Sequence, residues 1–91
     1  MNRSRTPWET ALQLFGETVR LRRKELGLRQ RDLADRTGLN ISHLGQIENG
    51  NARVNLESLF LIASALHVSP SMLLESIEGR LELYPHPKKG L

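Results

Sequence analysis

The chain contains no cysteine, which excludes a disulfide framework, thiolate zinc sites, iron–sulfur clusters and a cysteine nucleophile. Packing alone must hold it together. Valine and isoleucine are scarce, seven in all against 17 leucines, and this ratio favours helices over a sheet-rich fold. No apolar run approaches the ~18 residues that a membrane-spanning helix needs, and Met1 to Thr10 has no apolar stretch resembling a signal-peptide core. A soluble, cytoplasmic protein with no membrane association is expected. With 91 residues, it should form one small module, because chains of this size rarely hold two independent cores.

What is present is unevenly charged. Residues 1–53 carry ten basic and six acidic side chains, and residues 54–91 carry three and four. Arg20, Arg22, Arg23, Lys24, Arg29, Arg31 and Arg36 crowd one stretch that holds only Glu25, Asp32 and Asp35 as counter-charges. Such density suits a polyanionic partner, and equally a solvated helix face with internal ion pairs.

Local signals divide the chain into helices. Thr6-Pro7-Trp8-Glu9 is a capping box with proline at the first helical position, and Trp8, Leu12, Phe15 and Val19 recur as one apolar stripe. This first helix should run to about Glu25 and stop at Gly27. A second helix begins near Gln30, carries Leu33 and Ala34 inward and ends before Gly38. Asn40 caps a third, Ile41 to about Asn49, with Leu44 and Ile47 buried. Asn55 caps a fourth, with Leu56, Leu59, Ile62, Ala63 and Leu66 on one face. Ser69-Pro70 opens a fifth, to about Glu75. Beyond Ile77 the pattern changes: Arg80-Leu81-Glu82-Leu83-Tyr84 alternates as a short strand would, and Pro85 and Pro87 end regular structure before a basic tail. The expected organisation is a domain over 1–77 and a C-terminal extension over 78–91.

The segment QRDLADRTGLNISHLGQIEN, Gln30 to Asn49, has the residue types of two short helices joined by a tight turn. Ala34 is small where the second helix crosses the first. Gly38 supplies the positive φ of the turn, and Leu33, Leu39, Leu44 and Ile47 peg both helices to the core. These features, beside the basic excess, read as a helix-turn-helix.

From about Leu14 to Leu74, two-thirds of the chain, the words LFGETVRLRRKELGLRQRDLADRTGLN, ISHLGQIENG and NLESLFLIASALHVSPSMLL resemble the phage Cro and repressor type of helix-turn-helix family. That resemblance implies an all-α, compact five-helix bundle, with the third helix laid in the DNA major groove and a homodimer on a roughly palindromic operator. It also implies that Gln30 touches the DNA backbone and braces the recognition helix, and that Arg23 and Glu48 form a partly buried salt bridge. The sequence departs from the family at four places. Arg29 stands where a Ser or Thr cap is usual, although Asp32 can reach back to its N–H and the arginine can grip a phosphate. Gly45 sits inside the third helix at a cost of about 1 kcal/mol relative to alanine, which close backbone approach to DNA would explain. His67 replaces the glycine that commonly follows the fourth helix. Arg22 occupies an often apolar position beside an apolar Leu21, which predicts a slightly rotated first helix.

A helix entering the groove by its N-terminus presents its cap and first turns to the bases. Asn40, Ile41, Ser42, His43 and Gln46 are the base-reading candidates: Gln46 for an adenine edge, Ile41 for a thymine methyl, Ser42 as donor or acceptor, and His43 for a base or a phosphate. Arg29, Gln30, Asn49, Asn51 and Arg53 flank that surface and are assigned to phosphates. Phe60, Leu61, Ala65, Met72, Leu73 and Ile77 are the candidate dimer interface, Leu61 standing where the family more often has a polar residue. Phe60, Leu73 and Ile77 read equally well as core. No catalytic constellation, metal site or cofactor motif stands out, so no enzyme is expected.

Within the family, the resemblance points first to controller proteins of restriction–modification systems, then to Cro-like phage repressors, acting on their own promoters. An antitoxin that captures a toxin through the Leu81–Tyr84 strand and also binds DNA is the alternative from another class. RNA polymerase is a further partner compatible with these readings, and a bridging co-activator that uses the bundle only for protein contacts is a third possibility.

Overall fold

The computed structural model describes residues 6–80, and these form five helices: α1 (Pro7–Glu25), α2 (Gln30–Thr37), α3 (Ile41–Glu48), α4 (Leu56–Ala65) and α5 (Pro70–Glu78). Four of them begin at a residue whose side chain accepts from the unpaired N–H groups of the first turn, and at α2 the Asp32 carboxylate reaches back to the N–H of the cap residue Arg29 instead. Thr6 and Glu9 close a reciprocal capping box on α1. Asn40, Asn55 and Ser69 accept from first-turn N–H groups of α3, α4 and α5. The strand expected over Leu81–Tyr84 lies outside the described residues. The fifth helix runs to Glu78, one turn beyond the expected Glu75.

The first helix packs on α3 and α5, α2 packs on α3 and α4, and α4 packs on α5. Val19, Leu33, Leu44, Ile47, Ile62 and Leu66 meet at the centre, fully buried. Removing one of these leucines to alanine would leave a cavity worth about 2–5 kcal/mol.

Two apolar residues expected inside are outside. Trp8 is 63% exposed, because α1, with 19 residues, overhangs partners of eight and nine. Leu56 is 70% exposed at the first residue of α4. It edges an open apolar groove of about 400 Å³, lined also by Leu12, Phe15, Leu59, Leu74 and Ile77.

The expected rotation of α1 does not occur. Leu21 faces solvent while Arg22 turns inward, its Nε donating to the Leu66 carbonyl at 3.1 Å. Arg36 of α2 donates to the Ala65 carbonyl at 3.3 Å. Two cations from two other helices thus satisfy the C-terminal carbonyls of α4, where the helix dipole is negative. The following His67 adopts a left-handed conformation, φ 59°.

Nor do all six residues expected at a dimer interface face outward. Ala65, Leu73 and Ile77 lie in the chain's own core, where α4 packs on α5 and α5 on α1. Phe60 and Met72 are exposed, 55% and 58%, and Leu61 is half-buried.

Candidate nucleic-acid interface

The α2–turn–α3 unit is built by short-range bonds. Asp32 Oδ2 accepts the Arg29 N–H at 2.8 Å, which starts α2 without a side-chain acceptor at residue 29. Gly38 takes φ 77° at the turn. Thr37, not singled out in the sequence, stabilises that turn: its hydroxyl accepts the Leu39 N–H at 3.2 Å and donates to the Leu33 carbonyl at 2.9 Å. Its position one residue before the turn glycine was the available signal.

A buried polar chain joins this unit to α1. Arg23 Nε and Nη2 donate to the two oxygens of Glu48 at 2.7 and 3.0 Å, and Arg23 Nη1 donates to the Leu28 carbonyl at 2.7 Å. Both side chains are buried. Gln30 Nε2 donates to Glu48 Oε1 at 3.0 Å. A carboxylate can only accept, so Glu48 fixes which end of the Gln30 amide faces α3. The Gln30 side chain lies over Gly45, where a β-carbon would sit 3.8 Å from it in ordinary contact. Among the described residues, nothing therefore requires glycine at 45.

The outer face of α3 carries Asn40, Ile41, Ser42 and Gln46 exposed, with His43 half-buried. Asn40 Oδ1 is occupied by the Ser42 and His43 N–H groups, and its amide NH₂ has no protein acceptor among the described residues. Asn49, Asn51 and Arg53 are exposed on the chain that follows α3.

The basic stretch is less free than its sequence suggests. Arg22 and Arg36 cap α4, Arg23 is buried on Glu48, and Arg29 pairs with Asp32 at 3.1 Å. Of the seven, Arg20, Lys24 and Arg31 have no protein acceptor among the described residues. The Arg29 guanidinium, then its backbone N–H, holds the Asp32 carboxyl at a pKa of about 2, below the ordinary 3.8, and Asp32 in turn raises the Arg29 pKa. Among the described residues, no three His, Asp or Glu side chains group as metal ligands, and no single helix is long and apolar enough to cross a membrane.

Two short helices about a left-handed glycine, the second presenting a polar outer face and anchored from behind by buried ionic bonds, define a helix-turn-helix domain. The chain belongs to the helix-turn-helix family HTH_3, which matches residues 19–73. It is similar to repressor protein C2 of Salmonella phage P22, with 38% identity over 63 residues, 69% of this chain but 29% of that repressor. The restriction–modification controller protein C.AhdI from Aeromonas hydrophila has a similar structure, with TM-score 0.67 and 37% identity over 68% of this chain and 94% of that one. So has the controller protein C.Esp1396I, crystallised as a tetramer with its natural 35 base-pair operator, with TM-score 0.68 and 28% identity over 76% of this chain and 91% of that one.

Proposed function

We propose that this protein is a sequence-specific DNA-binding regulator of transcription, acting as a homodimer on a pseudopalindromic operator at its own promoter in the manner of a restriction–modification controller. The observation that carries this reading is the outer face of α3. Asn40, Ile41, Ser42 and Gln46 offer an amide, a branched apolar group, a hydroxyl and a second amide at helical spacing, which suits the donor, acceptor and methyl pattern of a major groove. The Arg23–Glu48–Gln30 chain holds that helix rigidly against α1 and α2. Gln30, Asn49, Asn51 and Arg53 would reach the flanking phosphates. The operator complex of the similar controller supports the assignment.

Two copies reading half-sites one helical turn apart, about 34 Å, need a two-fold contact. Phe60 and Met72 are the exposed apolar side chains left for it among those the sequence singled out. The deciding experiment is fluorescence anisotropy on DNA from immediately upstream of the protein's own gene, at two salt concentrations with non-specific competitor. Selective binding with a steep salt slope is expected, and weak, unselective binding would overturn the proposal. Sedimentation of Phe60→Glu tests the interface: the wild type should run as a dimer at micromolar concentration and the variant as a monomer.

A further inference from the structure

Arg29 is a basic residue at the edge of the α3 face, since it opens α2 beside Gln30, whose side chain lies on α3. It is 77% exposed, yet its guanidinium is already engaged. Nε donates to Asp32 Oδ2 at 3.2 Å and Nη2 to Asp32 Oδ1 at 3.1 Å. These two parallel bonds use the fork edge that matches a phosphate bidentately. The same Oδ2 also accepts the Arg29 backbone N–H at 2.8 Å, so the carboxylate is fixed by the helix cap and cannot swing away without uncapping α2. An anion therefore already occupies the position where a phosphate would bind.

We infer that Asp32 competes with DNA phosphate for the Arg29 guanidinium and so limits the strength of this protein's sequence-independent grip on the DNA backbone. The inference rests on the DNA-binding reading above. When DNA arrives, either the pair stays closed and its net charge of zero releases no counterion, or Arg29 leaves and an uncovered carboxylate faces the phosphates. In both cases the arginine contributes less than one full phosphate contact. The restraint falls on non-specific and operator DNA alike, which lowers the time spent on wrong sequence without changing which bases are read.

Asp32→Asn is the informative substitution, because an asparagine oxygen still accepts the Arg29 N–H and keeps the α2 cap. Wild type, Asp32→Asn, Arg29→Ala and the double variant are titrated against upstream and scrambled duplexes across a salt series, with melting temperature as a check on folding. Asp35→Asn, an equal charge change at another exposed site on α2, measures the contribution of net charge alone. One freed phosphate contact steepens the log–log salt slope by about 0.9, so a homodimer that frees one in each copy steepens it by about 1.8 and binds about sixtyfold tighter near 0.1 M salt. Asp32→Asn should show that gain on both duplexes, well beyond Asp35→Asn. Arg29→Ala should cost little in the wild type and the whole gain in the Asp32→Asn background. An Asp32→Asn variant that binds no tighter than Asp35→Asn, or gains equally without Arg29, would overturn the inference while leaving DNA binding intact. Absence of salt-dependent binding by every variant would overturn the DNA-binding reading itself, and the inference with it.

Discussion

Gly16 of α1 lies so close to the main chain of Glu48 in α3 that a β-carbon built on it would sit 2.7 Å from the Glu48 carbonyl carbon. The obstacle is backbone at the end of a helix, which cannot rotate away as a side chain can. Gly16→Ala should therefore force α1 and α3 apart and cost about 1–3 kcal/mol or more, lowering the melting temperature by several degrees or more for each kcal/mol in a domain this small. A variant that melts with the wild type would show the crossing to be looser than described.

The Arg23–Glu48 pair that this crossing encloses should respond asymmetrically. Glu48→Ala strands a buried guanidinium and is expected to cost about 3–5 kcal/mol, read from urea unfolding. Replacing both members, Arg23→Met with Glu48→Leu, should recover much of that loss, because no uncompensated charge remains. A loss below about 1 kcal/mol in the single variant would contradict the ion pair's burial.

His67 holds a left-handed backbone that a β-carbon disfavours. His67→Gly should stabilise by up to about 1 kcal/mol, the relief being partly offset by the greater freedom of glycine when unfolded. His67→Val, branched at the β-carbon, should destabilise clearly. Parallel urea titrations of the three proteins would establish the order.

Acid sensitivity follows from Asp32. Its folded pKa of about 2 lies below the ordinary 3.8, so the carboxylate's contribution to stability is complete above pH 4 and is lost as the pH falls from there through 2. Melting curves between pH 5 and 2 should show wild type losing more stability than Asp32→Asn over that window, and the two changing in parallel above it.

Gln46→Ala should reduce discrimination at one base pair per half-site by about 1–3 kcal/mol with the salt slope unchanged. Arg53→Ala should instead weaken all sequences equally and flatten the slope by about 0.9 per half-site, about 1.8 for the dimer. Binding to a panel of single-base operator variants separates the two roles.

Helix boundaries were legible because caps are made by residues two to four apart. Thr6 with Glu9, Arg29 with Asp32, Asn40 with Ser42 and His43, and Asn55 with Ser58 all bond within that span. The Gly38 turn was legible for the same reason. Apolar spacing named the core of α2 and α3 correctly and misplaced Trp8 and Leu56, since periodicity identifies a face but not where along the helix a partner ends. The basic run could be read in the sequence either as a polyanion surface or as internally paired, with nothing there to resolve the two. Charge can be counted along a chain, but the acceptors that consume Arg22 and Arg36 lie 44 and 29 residues away.

By itself, then, the sequence determined five helices, their caps, the glycine turn and the polar outer face of α3, because each depends on neighbours within about one turn. Tertiary structure alone decided that Gly16 must be bare, that Arg22 and not Leu21 turns inward, that His67 accepts a left-handed backbone and that Ala65, Leu73 and Ile77 serve the core. Each of these depends on how closely and at what angle helices distant in sequence cross, and that is set by the packing of the whole core.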